Sequence, residues 1–328
     1  MPRYLLTRSL HTVALVLGLL TVVFFLVRIM PGDPVELIVE PELGGEAREL
    51  VRQRLGLDEP LLVQYGRWLA SVARGDLGMS LRQQRPVVEV IADALPNTLL
   101  LTVSALLVEL LVGIAVGVTG ARYPDRWRSR SLNVGGLVLY SLPSFWLGLV
   151  AILVFARGLG WVPTGGMQAP DAAWLPAGAR LLDTLHHLVL PMLVLGLGNF
   201  AVTARFTRTS LARVLASEWV LAARARGVPE RRLVWRHGLR AAALPVVTWI
   251  GVNLPRLVGG AVAVEEVFAW PGLGRVAVQA LLARDYPVII ATTAVVAVMV
   301  CVGSLVADLL ARWADPRLRL DGAGPEVR

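Results

Sequence analysis

Six apolar runs, each close to the ~20 residues a helix needs to cross a hydrocarbon core, fall near residues 10–29, 99–120, 132–156, 188–204, 242–264 and 288–310. No other feature of the 328-residue chain constrains its fold as strongly. Lipid offers no hydrogen bonds, so a spanning segment must satisfy its own backbone, and runs of this length do so as helices. The expectation is an all-α polytopic membrane protein with six transmembrane helices. Composition agrees: 55% of residues are hydrophobic and 17% charged, against about 25% charged in soluble domains. Arg3 and Arg8 precede the first run as they would in a secretory signal. That run is too long for an h-region and ends in Arg28-Ile29-Met30-Pro31 instead of a small-residue cleavage site. It reads as a retained helix.

Loop charge sets an expected orientation. All 32 basic residues are arginine, and the net charge is +8. In so apolar a chain, positive charge marks cytoplasmic loops and gives no reason to invoke nucleic acid. Residues 205–240 hold nine arginines against Glu218 and Glu230, and the link after the second run holds Arg122, Arg126, Arg128 and Arg130 against Asp125. Residues 31–96 reverse the balance, with seven arginines and eleven acids. Both termini are therefore expected in the cytoplasm, with 31–96 and the 158–186 loop outside. Helical spacing at Leu61, Leu62, Tyr65, Trp68 and Leu69, punctuated by Pro60, Gly75 and Gly78, predicts a folded outer insertion after helix 1. The expected divisions are 1–30 (cytoplasmic tip and first helix), 31–96 (extracytoplasmic), 97–312 (core) and 313–328 (cytoplasmic tail).

Several chemistries are set aside. A P-loop needs lysine at the nucleotide phosphates, and this chain has none, so no ATP hydrolysis of that kind is expected from it. The lone Cys301 lies in an apolar run and supports neither a disulfide framework nor a cysteine metal site. Adjacent His186 and His187 point to different sides of a helix, so no metal site is assigned. Ser144 has no base placed beside it, and no catalytic residue is assigned.

The most informative stretch is 217–239. Ser217 suits a helix N-cap, Gly227 a left-handed C-terminal position and Pro229 the start of a second helix. Ala222, Ala223 and Ala225 permit close approach of another surface, while Arg224, Arg226, Arg231 and Arg232 offer bidentate donors. The stretch reads as two short helices at a kink, shaped for docking. It resembles the EAA loop of ABC importer permeases: Ala222, Ala223, Gly227 and Leu239 match, while Leu221, His237 and Arg240 replace the motif's glutamate, isoleucine and proline. That altered form is similar to the peptide/nickel branch. The resemblance runs through Pro31-Gly32-Asp33-Pro34, Arg74-Gly75-Asp76-Leu77-Gly78-Met79-Ser80, Ser141-Leu142-Pro143-Ser144-Phe145-Trp146, Glu265-Glu266-Val267-Phe268-Ala269-Trp270-Pro271-Gly272-Leu273-Gly274, Arg284-Asp285-Tyr286-Pro287 and Asp315-Pro316-Arg317. In these elements the chain looks like the first permease of dipeptide and oligopeptide importers.

The resemblance implies a type I importer transmembrane-domain fold in the bacterial cytoplasmic membrane, moving di- or oligopeptides by alternating access. The same machinery in relatives takes a nickel chelate, glutathione or haem. Implied partners are a second homologous permease, two ABC ATPases that carry ATP and magnesium, an extracytoplasmic substrate-binding protein and membrane lipid. This chain itself is expected to bind no cofactor and no metal. ATPase coupling would fall to Glu218, Ala222, Ala223, Arg224, Arg226, Gly227, Val228, Arg231 and Arg232. Polar groups inside spans are costly and mark candidate path residues: Glu109, Ser141, Ser144, Trp146, Asn253, Arg256 and Glu265. An interhelical pair such as Glu109 with Arg256 is the structural alternative. Finally, Trp270, Pro271, Gly272 and Gly274 form a turn expected to re-enter the protein as an outer scoop, the alternative being an amphipathic helix on the outer leaflet.

Overall fold

The computed structural model describes residues 2–29, 49, 52–53 and 58–314, so Pro31-Gly32-Asp33-Pro34 and Asp315-Pro316-Arg317 lie outside the described residues. Among the described residues, helices dominate, and the one pairing of extended backbone is an isolated antiparallel bridge between Met79 and Pro86. The first apolar run forms α1 (Pro2–Ile29). The outer insertion contributes α2 (Leu61–Ala73), and α3 (Val87–Arg122) carries the second run through residues 96 and 97 without a break. The third run forms α4 (Trp127–Ser141) and α5 (Ser144–Ala151), the latter extended by a π-wound turn, Ile152–Gly158. Then follow α6 (Ala177–Leu215), α7 (Glu218–Ala225), α8 (Ala243–Val267), α9 (Leu273–Leu282) and α10 (Tyr286–Ala314).

Among the described residues, α3, α6 and the Tyr286–Val306 part of α10 are long and apolar enough to cross a membrane. The expected single span at 132–156 is instead a helix pair bent by 107°. The cause is local. Pro143 has no N–H to continue the helix, and the residue before a proline is driven out of the helical region. Leu142 accordingly sits at φ −90°, ψ 139°. Counted as one bent span, the pair makes a fourth crossing. The first and fifth runs are helical as α1 and α8.

Contacts divide the chain into two units, Met1–Thr98 with Pro271–Cys301 and Leu99–Trp270 with Val302–Arg328. In the first, Val87, Ile91 and Ala94 of α3 pack with Leu273 and Ala280 of α9 and with Val288 and Ala291 of α10. A second cluster joins Leu20 and Phe24 of α1 to Tyr286 and Ile290. Tyr65 and Trp68 of α2 close on it, their rings 5.4 and 5.3 Å from that of Phe24. Such ring pairs contribute about 0.5–1.5 kcal/mol beyond area burial. They dock α2 on α1.

The second unit is organised by a glycine seam between α3 and α6. A Cβ at Gly113 would lie 2.8 Å from Thr203, and one at Gly117 would lie 2.5 Å from the Thr207 Cβ and 2.7 Å from the Ala204 carbonyl oxygen. At Gly196 of α6 it would meet the Ala105 carbonyl at 2.6 Å. Small residues on both faces let the backbones approach this closely, which is how helices associate in lipid. Contacts advance along both helices in the same sense, so the end of α3 that bears Arg122 lies beside the end of α6 that bears Arg205, Arg208 and Arg213. Leu101, Leu188, Leu195, Val264, Phe268 and Trp270 fill the adjoining core. The 158–176 loop is strapped over α8, where the Gly166 N–H donates to the Phe268 carbonyl at 2.7 Å.

Candidate functional site

Between α6 and α8 the chain makes the expected elbow. Ser217 precedes α7 with φ −77°, ψ 151°, but its hydroxyl donates to the Val214 carbonyl at 2.6 Å and caps no α7 amide. The expected serine cap is thus replaced by a bond that satisfies a terminal carbonyl of α6. At the other end Gly227 has φ +78°. Its N–H donates to the Arg224 carbonyl at 2.9 Å and that of Val228 to the Ala223 carbonyl at 3.2 Å, the pattern of a Schellman cap. Nothing lies within 4 Å of where a Gly227 Cβ would sit, so the left-handed backbone alone requires glycine within this chain. The second arm follows Pro229 as Glu230–Arg232, the π-wound Leu233–Gly238 and Leu239–Ala241.

Val220, Leu233 and Val234 are fully buried and root both arms in the second unit. Val234 packs with Val118 of α3, Leu211 of α6 and Ala242. The opposite face holds Glu218, Ala222, Arg226, Arg231 and Arg232, all exposed, with Ala223 and Val228 half-buried. Trp219, Leu221 and Trp235 are exposed beside them. Tryptophan and arginine are enriched at protein interfaces, and these three apolar residues join the candidate docking face although sequence reasoning singled out none of them. The signal was present: bulky apolar side chains inside a basic loop. Arg224 also has a partner within the chain. Its guanidinium makes a bidentate pair with Glu230, Nε donating to Oε2 at 3.1 Å and Nη2 to Oε1 at 2.9 Å, and so staples one arm to the other. Hydrogen bonding from Arg224 holds the Glu230 carboxyl below its ordinary value. The pair is therefore complete above the ordinary carboxylate pKa of about 4.3 and is lost only as pH falls through that lowered value.

The candidate path residues that the structure describes have different surroundings. Glu109 is buried in the α3–α6 seam, accepting the Thr203 hydroxyl at 2.7 Å. Ser141 donates to the Leu137 carbonyl at 2.8 Å, Ser144 is half-buried, and Trp146 is 45% exposed at the start of α5. The side chains of Asn253 and Arg256 lie outside those described, so the pairing of Glu109 with Arg256 does too. Glu265 is fully buried near the end of α8. His186 reaches the Trp161 carbonyl at 2.9 Å while His187 meets the Asp183 carbonyl at 2.8 Å, so the two rings serve different partners.

After α8 the chain turns through Ala269, which holds φ +51°. The Trp270 N–H returns to the Glu265 carbonyl at 2.8 Å, another Schellman closure. Trp270 is buried in the core of the second unit, Pro271 is exposed, and Gly272, Leu273 and Gly274 are buried in the first. In that first unit a further lock went unread. The Asp285 carboxylate accepts the Ser80 hydroxyl at 2.5 Å and the Arg82 N–H at 3.2 Å. It joins the Arg74–Ser80 and Arg284–Pro287 stretches, 205 residues apart at the bond.

Residues 92–320 match the family described as binding-protein-dependent transport system inner membrane component, and residues 1–102 match the N-terminal component of the same kind of system. The chain belongs to this family. As a binding-protein-dependent transport component it is a multi-pass membrane protein. It is 38% identical over 319 residues to the oligopeptide transport system permease protein AppB of Bacillus subtilis, covering 97% of this chain and 99% of that one. It is 40% identical over 322 residues to the glutathione transport system permease protein GsiC of Salmonella paratyphi A, again covering 97% and 99%. A chain of the MetNI methionine ABC transporter in inward-facing conformations superposes with a TM-score of 0.56 at 18% identity, covering 69% of this chain and 97% of that one. That likeness shows the shared fold of an importer transmembrane domain.

Proposed function

We propose that this chain is the translocation subunit of an ABC importer for short peptides, paired with a second permease and driven by two separate ATPases. The observation that carries the reading is the elbow: a rigid, capped kink rooted in the α3–α6 bundle, with Trp219, Leu221, Trp235, Arg231 and Arg232 presented outward. Closure of the ATPases would push this lever and rock α3 and α6 between outward- and inward-open states. The arginine-bearing ends of those helices lie together, which supports placing them and both termini in the cytoplasm. The turns within 58–96 and 265–285 would then face the binding protein. Peptides are favoured because relatives named for oligopeptide and for glutathione, itself a tripeptide, match nearly the whole chain. A nickel chelate or haem remains the alternative cargo of such machinery. ATP and magnesium would reside on the ATPases.

The test is co-purification of the importer with Arg231→Glu and Arg232→Glu together. The double variant should associate less with the ATPases than wild type at low salt, and the difference should shrink as salt rises, since exposed charge contacts are screened. Unchanged association at all ionic strengths would remove the coupling assignment. Uptake of labelled peptide by the reconstituted wild-type importer tests the cargo.

A further inference from the structure

The link between α3 and α4 carries a surface outside the elbow. Its four arginines, Arg122, Arg126, Arg128 and Arg130, are all exposed, with Asp125 alone in the link to offset them. Two aromatic rings sit among them. The Arg126 and Arg122 guanidinium groups lie 4.2 and 5.1 Å from the centre of the Tyr123 ring, and that of Arg128 lies 5.9 Å from the centre of Trp127. Trp127 itself is 73% exposed. It opens α4, and Val134 and Val138 follow it along one face at helical spacing. Both are exposed, as is Leu137 beside them. The opposite face of α4 is occupied, since a Cβ on the buried Gly136 would lie 2.7 Å from the Phe200 ring of α6. An open apolar stripe therefore runs along α4 from a cationic end marked by tryptophan.

A further arginine joins from α6. A Cβ at Gly120 would lie 3.1 Å from Arg208 Cδ and 3.5 Å from Ser129 Oγ, so the bare backbone at 120 lets the Arg208 stem cross the end of α3 beside the first turn of α4. Arg208 is half-buried, and among the described residues neither it nor Arg126, Arg128 or Arg130 is in an ion pair. A half-buried guanidinium without a countercharge is costly, and an anion from outside the chain relieves it. A soluble anion would leave Trp127 and the valine stripe uncovered. An acidic protein surface at the link would do the same to Val134 and Val138, which lie further along the helix. A phospholipid with an anionic headgroup answers both halves, with phosphate among the arginines and an acyl chain along the stripe. Trp127 then sits at the headgroup depth that tryptophan favours.

We propose that the end of α3, the start of α4 and Arg208 form a site for an anionic phospholipid, with Arg126, Arg128 and Arg208 on its phosphate and Val134, Leu137 and Val138 along its acyl chain. One turn before Arg122, Val118 packs against Val234 of the elbow's second arm, so the lipid site and the elbow share the end of α3. A lipid seated here fixes the level of that end against the bilayer, and with it the base from which the elbow swings. The site holds whatever the cargo.

The test places the assembled importer in phosphatidylcholine nanodiscs that contain a photoreactive probe, either phosphatidylglycerol or phosphatidylcholine with the same diazirine-bearing acyl chain. Labelled peptides are mapped by mass spectrometry. One arginine beside an anionic headgroup contributes about fivefold. Wild type should therefore favour the phosphatidylglycerol probe at residues 134–138 by roughly tenfold or more, and Arg128→Gln or Arg208→Gln should each cut that preference about fivefold. Labelling by the phosphatidylcholine probe should stay unchanged in both variants, which checks that α4 still packs. Arg157→Gln, in the π-wound turn at the other end of the bent pair, should leave the preference intact. Equal labelling by the two probes in wild type would make the stripe an ordinary lipid-facing surface, and no labelling by either would give it to a protein neighbour. Either result overturns the site. So would a preference that survives both substitutions, or one lost in phosphate buffer but kept in chloride of equal ionic strength, since the ligand would then be a free anion.

Discussion

At the scale of single residues, left-handed backbone positions decide how helices end here. Gly75, Gly227, Ala269 and Arg284 each follow a helix with positive φ, and in each case the next residue's N–H returns to a carbonyl in the last turn. Glycine takes this conformation freely, whereas an L side chain pays about 1–2 kcal/mol. Gly227→Val should therefore straighten or misplace the elbow and abolish transport. Membrane insertion, read by yield and detergent-solubilised melting, should persist, because open space surrounds the site. Wild-type uptake in this variant would refute the lever. Ala269→Gly should do the reverse and raise the melting temperature, provided the glycine's added freedom in the unfolded chain costs less than the strain relieved. Only half of these positions could be read beforehand. Glycine advertises a left-handed cap, but alanine and arginine do not, and the need for one at 269 arises from the burial of Trp270.

At the scale of helices, apolar length was a sound guide because the hydrocarbon core imposes it. Each of the six runs falls on a helix, yet the bend at Pro143 was missed. The run around it is apolar enough to mask a break that its proline announces. Packing between helices was less legible still. Glycine spacing at Gly113 and Gly117 is visible in the sequence, but its partner face, Thr203 and Thr207, lies some 90 residues on. The seam predicts a contrast between two helical glycines. Gly117→Ala forces a Cβ against the Ala204 carbonyl and the Thr207 Cβ, and should cost about 1–3 kcal/mol of overpacking. Gly135→Ala meets nothing within 4 Å and should be neutral or slightly stabilising. Melting both variants side by side checks the seam, and equal behaviour would contradict it.

At the scale of the whole molecule, orientation is the reading most open to test. With Cys301 replaced by alanine, a cysteine at Gln83 should react with an impermeant thiol reagent added outside intact cells, and one at Arg224 only after the membrane is opened. The opposite pattern would overturn both the orientation and the coupling assignment of the elbow. The lock between Ser80 and Asp285 belongs to this scale too, and no local pattern reveals it, since both partners lie in turns whose own geometry is already satisfied. Its position along the chain sets a schedule for biogenesis. A ribosome adding about 5–20 residues per second needs roughly 10–40 s to pass from one partner to the other. During that interval the hairpin waits outside the bundle for a carboxylate not yet made. A chain stalled or cleaved before residue 285 leaves Ser80 and the Arg82 amide unanswered, giving proteases an accessible mark of incompleteness on an otherwise inserted protein.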